Sequence, residues 1–77
     1  LAVEMNQLVA LGAHMQKKKL EKAIKLLSSR QKEAIYLRFI RDLSYEEIGE
    51  ALGINYQSSK NLVSRTLIKL REFYLSL

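Results

Sequence analysis

Two serines and an asparagine fix where helices must begin in this chain. Ser28-Ser29-Arg30-Gln31 has the S-x-x-Q form of a capping box: Ser28 accepts from the Gln31 amide and Gln31 reaches back. Ser44-Tyr45-Glu46-Glu47 repeats the signal as S-x-x-E, and Asn55 is a good N-cap for whatever follows it. Side-chain chemistry thus predicts helices starting at Ser29, Tyr45 and Tyr56, and Gly53 ends the second as a left-handed residue that only glycine adopts cheaply.

Apolar spacing fills in the rest. Leu20, Ala23, Ile24 and Leu27 predict a short helix over Lys17–Leu27, opened by the run Lys17-Lys18-Lys19, which reads as a solvated face. The helix from Ser29 carries Ala34, Ile35, Leu37, Phe39 and Ile40, with Tyr36 alongside, and ends at Arg41-Asp42. The last and longest runs from Tyr56 to about Tyr74 on a stripe of Leu62, Val63, Leu67, Leu70 and Phe73 or Tyr74. Proline is absent and glycine occurs only three times, which disfavours a sheet with its frequent turns. The expected class is all-α, four to five helices with a C-terminal helix-turn-helix.

The fifth helix is the front segment, Leu1 to Leu11, where Leu1, Met5, Leu8, Val9 and Gly12 share a helical face. Gly12-Ala13-His14-Met15 has the form of a tag-removal and cloning remnant. Residues 1–15 are therefore expected to be a vector-derived or fused segment, with an interdomain linker helix as the alternative, and 16–77 to be the domain.

A chain of 77 residues buries only about 60% of its surface, too little to enclose a large active site. At 48% apolar it is too hydrophobic for a disordered tail. It lacks cysteine, a membrane-length apolar run and a signal-peptide pattern, and a cytoplasmic location is expected. His14 is the only histidine, and the adjacent Glu46 and Glu47 point about 100° apart on a helix. No catalytic centre, metal, cofactor, small-molecule substrate or membrane partner is expected. The net charge of +5 suggests an anionic partner, with nucleic acid the first candidate.

The short helix, the glycine and the long helix have helix-turn-helix spacing. A side chain at Gly49 would hold the two helices apart, while Ile48, Leu52, Ile54 and Leu62 supply their contact. With the stripe buried, Tyr56, Gln57, Ser58, Lys60, Asn61, Ser64 and Arg65 stay outward, and none is acidic. That inventory suits DNA: a helix N-terminus for phosphate, amides for adenine, and cations for guanine or phosphate. Lys69 and Arg71 lie where a helix leaving the groove passes the backbone.

From Leu20 onward the chain resembles region 4 of bacterial sigma factors, especially the extracytoplasmic-function group. The matching stretches are Leu27-Ser28-Ser29-Arg30-Gln31, Tyr36-Leu37-Arg38-Phe39, Leu43-Ser44-Tyr45-Glu46-Glu47-Ile48-Gly49, Leu52-Gly53-Ile54 and Ser64 through Arg71. Asn55-Tyr56-Gln57-Ser58 looks like the variant common in Bacteroidetes members. The resemblance implies a domain that docks on RNA polymerase and contacts the minus-35 promoter element, directing transcription initiation. It implies base contacts from Tyr56, Gln57, Lys60 and Asn61, and phosphate contacts from Ser58, Ser64, Arg65, Tyr45 and Arg38. The polymerase beta-flap tip would sit on a groove near Ala34, Ile35, Leu37 and Phe39, which an anti-sigma factor covers in many members.

Ser59 departs from the family, which has Val or Ile at that place. If the site is buried, the missing aliphatic group forgoes about 1.5–3 kcal/mol of burial, although the hydroxyl can bond back to the Asn55 carbonyl. The helix start then packs less tightly or rotates. Two other readings compete: a LuxR-type output domain, which dimerises and reads paired half-sites, and a domain mainly engaged in binding protein.

Overall fold

Each of the three caps opens a helix. The computed structural model describes residues 17–77, and the expectations for residues 1–15 lie outside them. Helix α1 spans Lys17–Lys25, α2 Ser29–Ile35 with a wider continuation over Tyr36–Ile40, α3 Tyr45–Leu52 and α4 Tyr56–Ser76. Four helices and no strand are present among the described residues. Ser28 and Ser44 both form reciprocal capping boxes, with Gln31 and Glu47 as partners. Asn55 Oδ1 accepts from the Ser58 amide at 2.8 Å.

The helices end as their chemistry requires. α1 stops two residues before Leu27, where Leu26 and Leu27 close a turn with amides donating to Ala23 and Ile24 carbonyls. α2 widens to π geometry: the Arg41 amide donates to the Tyr36 carbonyl, five residues back. Asp42 then takes a left-handed conformation, φ 55°, and the Leu43 amide reaches back to the Leu37 carbonyl. Ile40 thereby stands 70% exposed instead of joining the inner face. α3 ends on Gly53, φ 70°, and the Gly53 and Ile54 amides both donate to the Gly49 carbonyl.

Two clusters make the core, and α4 belongs to both. Its first half packs Val63 and Leu67 against Ala34 of α2 and Tyr45 and Ile48 of α3. Its second half packs Leu70 against Ala23 and Leu27 of the α1 end. Burying a side chain such as Ile48 or Val63 contributes about 1.5–3 kcal/mol, so α4 is the common support for everything else. The seam differs from the predicted stripe at Thr66 and Leu62. Thr66 is fully buried, whereas Leu62 is only half-buried. Thr66 tolerates that position because its hydroxyl donates to the Leu62 carbonyl at 2.7 Å. Arg30, at the start of α2, also ties across to the end of α3 by donating from Nη2 to the Leu52 carbonyl at 3.1 Å.

Candidate nucleic-acid interface

The turn between α3 and α4 depends on what Gly49 lacks. A Cβ there would stand 2.5 Å from the Ile54 carbonyl oxygen and 3.0 Å from Ser59 Oγ. Ser59 is fully buried at this contact, and its hydroxyl donates to the Asn55 carbonyl at 2.9 Å. A small polar residue therefore fills the place where the resemblance leads one to expect an aliphatic one. Its hydroxyl is satisfied within the helix, and the seam through Val63 and Leu67 keeps its register.

The opposite flank of α4 is open to solvent. Tyr56, Gln57, Ser58, Lys60, Asn61 and Arg65 are exposed and Ser64 is half-buried. No acidic residue occurs on this helix before Glu72. The first amides of α4, at Tyr56 and Gln57, have no intrahelical acceptor and sit at the positive end of the helix dipole. Gln57 Nε2 donates to Asn61 Oδ1 at 3.1 Å, which aligns two amide side chains one turn apart. Lys69, further along, is engaged at the surface with Glu72 at 4.0 Å.

Arg38 and Tyr45 are arranged differently from the sequence expectation. Tyr45 is only 2% exposed and belongs to the core cluster, so its ring is a wall and not an outward backbone contact. The alternation along α3 explains this: Tyr45, Ile48 and Gly49 are its buried positions, one face of a helix. Arg38 lies with its guanidinium 4.6 Å over the Tyr45 ring and donates from Nη1 to the Leu43 carbonyl at 2.8 Å. With Ser44, Glu46 and Tyr56 these two residues line a shallow recess of about 260 Å³ beside the start of α4.

The expected partner groove on α2 is also redrawn. Ala34 is fully buried and offers no surface to a partner, while Leu37 is half-buried against the core. Ile35 and Phe39 are half-buried, and beside them Tyr36 and Ile40 are 48% and 70% exposed. Sequence periodicity counts Ile40 with the other apolar positions of this helix because it assumes regular geometry, and the wider turn after Ile35 shifts the phase.

A capped hairpin closed over Gly49, with an acid-free flank on its second helix, is a helix-turn-helix. The family model for Sigma-70, region 4, matches residues 17–70, and the chain belongs to that family. No curated protein and no solved structure matches it. The domain is accordingly the DNA-binding kind found in sigma factors. Among the described residues no helix is long and apolar enough to cross a membrane.

Proposed function

We propose that this domain reads the minus-35 element of promoters as part of an extracytoplasmic-function sigma factor, with the first turns of α4 in the major groove. Tyr56, Gln57, Lys60 and Asn61 address base edges, and Ser58, Ser64 and Arg65 address phosphates. Arg38 adds a phosphate contact from the wall of the recess that it shares with Tyr45. The observation that carries this reading is the exposed, acid-free flank from Tyr56 to Arg65 on a helix whose other side is sealed by Val63, Leu67 and Leu70. A helix serving only to pack against protein has no reason to exclude carboxylates there, whereas one facing phosphates does. Support for a polymerase contact comes from the apolar outer face of α2, where Ile35, Tyr36, Phe39 and Ile40 make a strip suited to the beta-flap tip. An anti-sigma factor would compete for the same strip.

Selection from a random duplex library tests the reading. One short asymmetric motif is the expected outcome, bound by a monomer with a log–log salt slope near about −3.6 for four phosphate contacts. Enrichment of an inverted repeat bound by a dimer indicates the LuxR-type arrangement instead. A pool with no enriched motif leaves a domain that mainly binds protein.

A further inference from the structure

Tyr45 and Tyr56 each occupy the first position of a helix, immediately after a side-chain cap. Their rings meet edge to face, with centroids 5.9 Å apart and planes at 86°. One is 2% exposed and the other 48%, so a buried ring fixes the attitude of an outward one. Behind Tyr45 the Arg38 guanidinium lies 4.6 Å over the ring, itself pinned to the Leu43 carbonyl at 2.8 Å. Three side chains from three helices thus form a stack that ends on the reading flank. The arrangement leaves the Tyr45 hydroxyl and Arg38 Nε buried without hydrogen-bond partners.

We infer that Tyr45, backed by Arg38, is a specificity-determining positioning residue that holds the Tyr56 ring against one base of the bound duplex without touching that base itself. The inference rests on α4 being the DNA-reading helix. The outward face of a tyrosine ring is apolar and matches the 5-methyl group of thymine in the major groove. Unsupported, a tyrosine at the start of a helix samples several rotamers. An edge-to-face partner biases such an equilibrium by about 2- to 10-fold, and that bias becomes discrimination at one base position and no other.

The test is selection from a random duplex library with the 77-residue chain, comparing the native sequence with Tyr56→Ala, Tyr45→Leu, Tyr45→Phe and Arg38→Met, each checked for helical content by circular dichroism. Tyr56→Ala is expected to flatten one column of the native motif, which identifies its base. Tyr45→Leu should flatten that same column by about 2- to 10-fold while leaving the others sharp, and Tyr45→Phe, which keeps the ring, should preserve it. Arg38→Met should lower affinity for every duplex through its lost phosphate contact and, in addition, relax the same column relative to the others; that relative change carries the test if Tyr45→Leu does not fold. The inference is overturned if Tyr45→Leu and Arg38→Met weaken every column equally, if Tyr45→Phe flattens the column as far as Tyr45→Leu, or if Tyr56→Ala changes no column. A native chain that enriches no motif at all sinks the DNA-reading proposal itself, a separate result from these.

Discussion

The backbone of Gly49 lies so close to Ile54 that a methyl group on it would sit 2.5 Å from the Ile54 carbonyl oxygen. The obstructing atom is main chain and cannot swing aside. Alanine would ordinarily favour a helix interior by up to about 1 kcal/mol over glycine, but here overpacking opposes it. Gly49→Ala is expected to destabilise the domain by about 1–3 kcal/mol, read as a lower urea midpoint, and to weaken DNA binding by displacing α4. An unchanged midpoint contradicts the close approach.

Gly53 presents the opposite case. Nothing lies within 4 Å of the place its Cβ would occupy, yet its φ is 70°. The cost of Gly53→Ala is then purely conformational, about 1–2 kcal/mol, and Gly53→Asn should recover part of it because asparagine tolerates the left-handed region. Thermal melts of the pair check the ordering.

Glu47 links stability to pH. The Ser44 backbone amide, which donates to its carboxylate at 2.9 Å, and then the Ser44 hydroxyl hold it below its ordinary value of 4.5. A carboxylate depressed on folding adds stability above its unfolded value, and that contribution disappears as pH falls through the folded value. Glu47→Gln keeps the capping box, as Gln31 does for Ser28, but has no proton to gain. Its urea midpoint should fall less steeply than the native one as pH drops below 4.5. Parallel curves would contradict the assignment.

Lys60 and Arg65 are expected to fail in different ways when truncated. Lys60→Ala should cost about 1–3 kcal/mol on the preferred duplex and relax base choice. Arg65→Ala should weaken all sequences alike and lower the salt slope by about 1. Titrations on preferred and scrambled duplexes separate the two, and a uniform loss for Lys60→Ala moves it to the phosphates.

The legible parts of the fold were those written in local chemistry. Ser28, Ser44, Asn55 and Gly53 set their boundaries through bonds to residues three or four positions away, so no tertiary knowledge was needed. The burial of Thr66 was hidden because its polarity is neutralised by an intrahelical bond to Leu62. The widened turn at Tyr36–Ile40 was hidden because nothing in Tyr-Leu-Arg-Phe-Ile breaks a regular helix. The resemblance implies an outward contact for Tyr45, and nothing in the local sequence marks it as core. Its packing with Val63 and Ile48 places it there. Along α4 the outward residues were visible as an absence of acids, while the register of Ser59 against Gly49 required coordinates.

On α4 the positions that hold the domain together, Ser59, Val63, Thr66, Leu67 and Leu70, never coincide with Gln57, Lys60, Asn61 or Arg65. Letters on the outer flank are therefore free to drift while the spine beneath them stays under constraint. A lineage of such domains could acquire new genomic addresses by substitution at a handful of surface sites, without renegotiating the architecture. Tyr56 is tied to the scaffold through its ring contact with Tyr45, so a substitution there reaches further inward than one at Gln57 or Lys60.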